Sequence, residues 1–451
     1  LEYTIVYNGE LYNTEELRKE LTAAGIEFFG HSDTEVVLKS YIHWGEKCLD
    51  RFNGIFALAV WEEATQRLFF VRDRMGVKPF FYALKNDTFI FGSEIKTLLE
   101  YPDIEPVIDR KGIIDLLFIG PGRTPGCGVF RDIHELEPGH CGTFDRNGLR
   151  TFSYWKLKDR LHTETFEETS DHVRYLVTDA IRRQLVSDVP LGTFLSGGLD
   201  SSIISAVAAS HFRSLGHQLD TFSVTYTDNQ KYFKTSKFQP TTDEPYIQMM
   251  AEFLGSNHHT FVVDNEQLAL ALKAAVDARD LPGMADVDSS LLLFCEEIKK
   301  HVTVALSGEC ADEIFGGYPW YRDEKIRSAY GFPWAQTTAM RQKFLTPHLR
   351  KLIDGEAEVS ARYEQALAET DKSEGLSPKE SRLREMVHLN MYWFMQTLLT
   401  RKDRMSMYHG LEVRVPFCDH RIAEYMYSVP WEMKEYKGME KGLLRHAVEG
   451  L

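Results

Sequence analysis

Two textures of apolar and polar positions follow one another along the chain. In the first third, short β-rich runs cover 3–7, 55–61, 67–71, 79–84 and 88–91. The runs at 55–61 and 67–71 flank a polar turn and predict a hairpin. Asn8-Gly9 carries a strong turn signal, which predicts that the first strand ends there. Asn13-Thr14 ahead of acidic residues predicts a capped helix to Ala24, and Ser32-Asp33-Thr34-Glu35 predicts a second through Trp44. The pattern is that of an antiparallel α+β domain over 1–150.

A charged and polar stretch, 151–169, reads as a linker. Beyond it, over 170–451, strands and helices alternate. Strands are expected at 190–195, 221–226, 259–263 and 302–306. Helices are expected at 170–187, from 203 onward, and at 244–254, 265–278 and 288–300. Such alternation predicts a parallel, doubly wound sheet with ligands at the carboxyl ends of its strands. The polar and aromatic stretch 228–242 is too long for a tight connection and reads as a surface excursion. From Tyr330 onward the pattern is mostly helical.

Composition narrows the class. A chain of 451 residues accommodates two or three domains. The 52 Lys and Arg against 67 Asp and Glu give a net charge of −15, which argues against a diffuse basic surface for nucleic acid. No apolar run approaches the ~20 residues of a membrane span. The six cysteines, at 48, 127, 141, 295, 310 and 418, form no C-x-x-C pair and suit a reduced, cytoplasmic protein without structural zinc. A chain that starts at Leu1 rather than Met and stops at Leu451 inside a helical pattern reads as an internal piece of a longer protein.

The densest chemistry lies at Leu195-Ser196-Gly197-Gly198-Leu199-Asp200-Ser201-Ser202, where a predicted strand runs into a predicted helix. The glycines let backbone approach closely, and the helix start presents free N–H groups and partial positive charge, so the turn makes an anion cradle. Two glycines alone would be a plain strand–helix turn. Asp200 would repel a bare phosphate there, so its presence implies a divalent cation. The string resembles the pyrophosphate loop of ATP pyrophosphatases. It lacks the Gly-Lys-Ser/Thr of a P-loop.

A second Gly-bearing turn, Ser307-Gly308-Glu309-Cys310-Ala311-Asp312-Glu313, closes the last predicted strand. Beside the first cradle, Asp312 joins Asp200 as a candidate Mg²⁺ ligand; alone, Asp312 and Glu313 would merely favour a helix start. In the stretch 401–417, Glu412 and Arg414 read as a salt-bridged pair and Met405 and Met407 as core. Arg404 is the residue of that stretch expected to meet phosphate or carboxylate. Lys441 and Arg445, at i and i+4, are expected on one helix face.

Taken together these motifs resemble glutamine-hydrolysing asparagine synthetase of the bacterial kind, over essentially the whole chain. Asn8-Gly9-Glu10, Ser32-Asp33, Arg72-Asp73, Gly76 and Lys78-Pro79 resemble its class II glutamine amidotransferase domain. The cradle, Ser307-Gly308-Glu309, 404–419 and 438–445 resemble its synthetase domain. The resemblance implies a class II amidotransferase α+β fold, with stacked antiparallel sheets flanked by helices, followed by an α/β ATP-pyrophosphatase fold. It implies an oxyanion hole at Asn8 and Gly9, with glutamine held by these and by Glu10 and Asp33. It implies an ATP site at Leu195, Ser196, Gly197, Gly198, Asp200, Ser201, Ser202, Val224, Ser307 and Gly308. Glu309 and Lys441 are implied to serve aspartate activation. A lysine aimed at phosphate charge acts mainly in the transition state, so Lys441 is expected to have little part in stability. The implied reactants are ATP with Mg²⁺, aspartate, and glutamine or ammonia, with neither nucleic acid nor membrane as partner and a homodimer as an open expectation.

The sequence departs from the family pattern in three ways. The N-terminal cysteine nucleophile has no counterpart, and Cys48 lies mid-chain, so the chain as given is expected not to hydrolyse glutamine. The C-terminal part is expected to be cut short. Cys310 stands where glycine is common and Cys418 where leucine is common. The aspartate pocket is sought at 283–290. Two rival readings stay open: a β-lactam synthetase-like or other amide-forming ATP pyrophosphatase, and a catalytically inactive nucleotide-binding regulator.

Overall fold

Strand β2 (Gly54–Glu62) is apolar on both faces, and that decides the architecture around it. Phe56, Leu58 and Val60 point to one side and Ala57 and Ala59 to the other, each set into its own core. The computed structural model describes residues 2–235 and 241–451. They form two units, one of residues up to Leu116 with Thr124–Lys156, the other of Leu117–Arg123 with Leu157–Leu451.

In the first unit, β1 (Tyr3–Leu11), β2, β3 (Arg67–Arg72), β7 (His140–Asp145) and β8 (Gly148–Ser153) form an antiparallel sheet in the order β1-β2-β3-β7-β8. β4 (Phe81–Lys85), β5 (Thr88–Gly92) and β6 (His134–Glu135) form a second, in the order β5-β4-β6. Phe70 of β3 stacks on Phe80 and Phe89 at 5.4 and 4.9 Å, which joins the sheets face to face. The far face of the larger sheet is covered by helices Thr14–Ala23 and Asp33–Trp44 through Leu17, Leu21, Val36, Val37 and Tyr41. The result is a helix–sheet–sheet stack, as expected.

Two local expectations fail in this unit. Asn8-Gly9 is not a turn; both residues lie within β1, with Asn8 opposite Ala57 and Gly9 opposite Phe56. Glycine is needed because a Cβ at position 9 would fall 2.7 Å from the Phe56 Cα, so sheet packing overrides the local signal. Asn13 does not cap its helix; its amide bonds the Arg51 carbonyl and the Asn53 N–H instead. Ser32 does cap the second helix, accepting from the Glu35 N–H at 3.2 Å.

In the second unit, β9 (Leu191–Phe194), β10 (Asp220–Tyr226), β11 (Asn257–Val263), β12 (Val304–Leu306) and β13 (Glu412–Arg414) form a wholly parallel sheet. Its order, β11-β10-β9-β12-β13, reverses direction at β9. One face packs on helices Asn265–Arg279, Asp286–Lys299 and Met395–Met407 through Ala278, Leu292, Ile298 and Met405. Helix Leu199–Ser214 follows β9 and is tied to it by the Ser205–Thr193 hydroxyl bond at 2.7 Å. The switch point beside β9 is where an open α/β sheet leaves its ligand crevice.

β13 was not foreseen, because three residues show no period; Glu412 and Arg414 do pair, at 2.7 Å, along its edge. The first helix spans Phe166–Gln184, with a Thr165/Glu168 capping box, and so begins within the stretch read as linker. Met405 is core but Met407 is 38% exposed. Of the stretch 228–242, residues 229–232 make one helical turn, and 236–240 lie outside the described residues.

Candidate active site

The turn after β9 is shaped by its own hydroxyls. The Ser196 and Ser201 side chains meet at 3.0 Å, the Ser196 N–H donates to Ser201 Oγ, and the Gly198 N–H donates to Ser196 Oγ. Gly197 takes φ +74°, and a Cβ there would fall 2.7 Å from the Tyr246 Cβ. Gly198 then caps helix Leu199–Ser214, whose first N–H groups and dipole face the turn. From β12 the second turn approaches so closely that a Cβ on Gly308 would lie 3.0 Å from Asp200 Cβ. Both turns stand at the carboxyl ends of adjacent strands.

Between and beside them is a cavity of about 590 Å³. Leu195, Ser196, Gly198, Asp200, Ser201, Val224, Ser307, Gly308, Glu309 and Asp312 all line it, so most of the expected ATP-site residues come together. Gly197 and Ser202 belong to the same turn without lining the cavity. Phe194 and Phe294, 5.0 Å apart, supply apolar wall.

Lys441 reaches this site from far along the chain. Its ammonium lies 2.5 Å from Asp200 Oδ2 and 2.7 Å from Asp312 Oδ1. It does not share a helix face with Arg445. Lys441 is the residue before helix Gly442–Ala447, with φ +52° and its side chain buried, while Arg445 is exposed and bonds the Glu440 carbonyl. Burial pushes Asp200 up to about 6, against the pull of Lys441 and with the help of Asp312. Burial opposes the charge on Lys441, yet the two carboxylates hold it above the usual lysine range. With both aspartates ionised the trio carries one net negative charge.

Glu309 is clamped on both oxygens. Lys402 Nζ lies 2.7 Å from Oε1, and the Ser307 hydroxyl donates to Oε2. Burial alone would raise its carboxyl, but Lys402 and Ser307 hold it below the usual carboxylate range. Next to it, Cys310 takes φ +77°, the left-handed region where a side chain is strained and glycine is at ease. That accounts for glycine being common at this position in the resembled pattern. Glu313 also lines the cavity, is 1% exposed and accepts from Tyr318 OH at 2.6 Å; burial, with Asp312 beside it, pushes it up to about 8.

Arg404 is not at this site. Its guanidinium is buried and donates from Nε and Nη2 to the Ala278 carbonyl. Its neighbours Arg401 and Lys402 line the cavity instead. Leu398, Arg401 and Lys402 lie at i, i+3 and i+4 of helix Met395–Met407, and Arg404 lies about 240° around from Leu398. Arg401 Nε is buried without a hydrogen-bond partner. No residue of the 283–290 stretch lines the cavity; Ser290 bonds the hydroxyl of Tyr226, a lining residue, at 2.6 Å, and Asp288 is held by Arg279 and the Met284 N–H.

A divalent cation fits the acid pair. Asp200 Oδ1 is buried without a hydrogen-bond partner, and the Asp200–Asp312–Lys441 trio has a negative charge to spare. Among the described residues no three His, Cys, Asp or Glu side chains are grouped to hold a metal. Two carboxylates suffice for Mg²⁺, which completes its shell with phosphate oxygens and water.

In the first unit, alternation along β1 turns Asn8 and Glu10 away from the face carrying Tyr7 and Leu11. Asn8 Nδ2 donates to Ser93 Oγ at 3.2 Å. Asp33 Oδ2 accepts from Tyr7 OH at 2.8 Å and from the Leu11 N–H at 3.1 Å, which ties helix Asp33–Trp44 to the end of β1. Asp73, fully buried, accepts from the N–H groups of Phe56, Met75, Val77 and Lys78 and so builds the turn after β3.

Comparison with known proteins agrees with this division. The asparagine synthase family matches residues 172–451, and the glutamine amidotransferase domain family matches residues 1–155. Asparagine synthetase [glutamine-hydrolyzing] 3 of Bacillus subtilis (strain 168) is 53% identical over 450 residues, covering 100% of this chain and 73% of its own length. Asparagine synthetase [glutamine-hydrolyzing] 1 of the same organism is 33% identical over 481 residues, with 100% and 73% covered. A putative asparagine synthetase [glutamine-hydrolyzing] of Mycobacterium tuberculosis (strain ATCC 25618 / H37Rv) is 29% identical over 489 residues, with 99% and 72% covered.

Proposed function

The chain belongs to the asparagine synthase family, and we infer that it carries out ATP-dependent amidation of aspartate to asparagine with glutamine as nitrogen donor. In that reaction the aspartate β-carboxylate attacks the α-phosphorus of ATP, and pyrophosphate leaves. Ammonia then adds to the β-carbonyl carbon of the aspartyl adenylate and AMP leaves.

The observation that carries this reading at the level of residues is the Lys441 ammonium between Asp200 and Asp312 beside the Ser-Gly-Gly turn. We propose that Ser196 to Ser202 receive pyrophosphate through backbone N–H groups and the helix dipole. Asp200 and Asp312 would hold Mg²⁺, which supplies charge neutralisation to the leaving phosphates. Lys441 stabilises charge that develops on the phosphates as the bond to the α-phosphorus breaks. Leu195, Val224, Phe194 and Phe294 provide the apolar wall for the nucleotide base. Glu309 orients the aspartate or accepts a proton from the attacking ammonia. Arg401, with its free Nε, meets an anionic group of aspartate or nucleotide. In the first unit Asn8 and Gly9 are proposed to stabilise the oxyanion of glutamine hydrolysis, with Glu10 and Asp33 as glutamine anchors. We place the protein in the cytoplasm on the strength of its six free cysteines; among the described residues no helix is long and apolar enough to cross a membrane.

The test is pyrophosphate release from ATP with a panel of carboxylic acids. Aspartate is expected to be strongly preferred, with asparagine forming when ammonium is added. Preference for another acid would point to a different amide product, and no ATP–pyrophosphate exchange with any acid would point to a nucleotide-binding regulator.

A further inference from the structure

Lys402 stands one helical position from Arg401 and does something different. Its ammonium is 2.7 Å from Glu309 Oε1, with side-chain exposures of 6% and 15%. It also lies over the Phe194 ring at 4.4 Å. Phe194 ends β9, Glu309 follows β12, and Lys402 comes from helix Met395–Met407. One side chain therefore pins three elements at the rim of the cavity. Because the Ser307 hydroxyl takes Oε2, the carboxylate plane of Glu309 is fixed from both ends, leaving one lone pair on each oxygen for a reactant.

The charged and titratable groups around Glu309 are Lys402 and Arg401 on helix Met395–Met407, Cys295 on helix Asp286–Lys299, and Cys310, Asp312 and Glu313 on its own turn. Burial pushes the Cys295 thiol up to about 12 and holds the Cys310 thiol well above its usual value, so neither carries charge near neutrality. Arg401 has no ion pair with Glu309 within 4.0 Å among those formed by the described residues, whereas Lys402 does. An isolated buried carboxylate would protonate rather than stay charged. Lys402 is thus the counter-ion that lets Glu309 serve as a base at neutral pH.

We propose that Lys402 is a positioning residue for aspartate amidation, holding Glu309 ionised and in one orientation without itself touching substrate. The proposal rests on the role assigned above to Glu309. Without Lys402, Glu309 keeps its Ser307 bond but loses its cation, so its carboxyl titrates higher and its plane is free to turn.

The experiment is the pH profile of aspartate-dependent ATP–pyrophosphate exchange and of asparagine formation from added ammonium, in the wild type and in Lys402→Met, Lys402→Arg and Glu309→Gln. Methionine keeps the length and apolar packing over Phe194, and a thermal melt checks that each variant is folded. Lys402→Met is expected to lower kcat at neutral pH, to leave KM for ATP within about twofold, and to move the acid limb of the profile up by about 1–3 pH units, the effect of losing an adjacent opposite charge. Raising the pH then restores much of the rate, and Lys402→Arg restores the wild-type limb at neutral pH. A Lys402→Met profile superimposable on wild type, or a loss equal at every pH, would overturn the proposal. Full activity of Glu309→Gln would instead overturn the role given to Glu309, and the two failures are told apart by which variant is silent.

Discussion

Lys441 Nζ and Asp200 Oδ2 are 2.5 Å apart in space and 241 residues apart in sequence. The contact joins the turn after β9 to the residue that opens helix Gly442–Ala447, and it changes what Lys441 is expected to do. A lysine that acts only on transition-state charge has little part in stability. A buried lysine paired with a buried carboxylate has a large one: removing one partner leaves an uncompensated charge at a cost of about 3–5 kcal/mol. Lys441→Met is therefore expected to lower the melting temperature as well as to cut the exchange rate by about 10²–10³. Lys441→Met/Asp200→Asn should recover part of the lost stability, with a coupling of about 0.5–3 kcal/mol, and none of the rate. Additive melts in the double variant would mean that the pair is not formed in solution.

Asp200 and Asp312 separate into different roles when each is changed alone. Asp312 is the more exposed, at 38% of its side chain against 18%, so Asp312→Ala is expected to fold normally and Asp200→Ala to be less stable. Both should abolish Mg²⁺-dependent adenylation, because two carboxylates are the minimum that this site offers. Titration of the exchange reaction with Mg²⁺ checks this. Wild-type Mg²⁺ dependence in either variant would remove that residue from the metal site.

How much of this was legible in the sequence depended on the range of the interaction. The Ser196–Ser202 turn was readable because its geometry is local: glycine at φ +74°, a helix start, and hydroxyls that bond one another across five residues. Asn8-Gly9 was misread because the same dipeptide serves a tight turn and a close approach of two strands, and only the presence of Phe56 opposite decides between them. The apolar run 55–61 announced a strand but not that both its faces are buried, which follows from the second sheet. β13 escaped because three residues have no period, although Glu412–Arg414 completes the parallel sheet beside β12. The Lys402–Glu309 pair had no sequence signal at all, since nothing in 401–404 says which basic side chain faces the cavity.

The pairing of Asp419 gives the fold a defined acid sensitivity. Asp419 is 6% exposed and accepts from Arg421 through its N–H, Nε and Nη2, and Arg421 also reaches Asp179 at 2.7 Å. Burial would raise the Asp419 carboxyl, but Arg421 and His420 hold it below the usual carboxylate value of 3.8. A carboxyl whose value is lower in the folded state binds its proton later than in the unfolded state. Its contribution is present in full above the unfolded value and is lost as pH falls below it and through the folded one. Asp419→Asn should therefore destabilise the protein by about 2–3 kcal/mol near neutrality, the scale of hydrogen bonds to a charged group, and by progressively less below pH ~4. Urea melts of both forms across that range test the sign; a gap that widens on acidification would contradict it.

Arg401 and Arg404 provide the sharpest contrast between a residue that serves the site and one that serves the fold. They lie three positions apart on one helix, and sequence alone favoured Arg404 for anion contact. In the structure the Arg404 guanidinium makes hydrogen bonds of 3.1 and 3.0 Å to the Ala278 carbonyl, the last turn of helix Asn265–Arg279. Arg401 lines the cavity with its Nε unpartnered. Arg404→Met is then expected to cost stability of about 1.5–3 kcal/mol, because a charged donor is lost from a buried carbonyl, while the variant that folds retains its KM values. Arg401→Met should melt within about 1 kcal/mol of wild type, since no intramolecular bond is given up, and should lose a charge-assisted contact with substrate, raising KM for aspartate or ATP about tenfold or more. Melting curves and initial rates on the two variants separate the cases. If Arg404→Met raised KM with its melt unchanged, and Arg401→Met did the reverse, the helix would be turned in solution by about a sixth of a revolution from the orientation described.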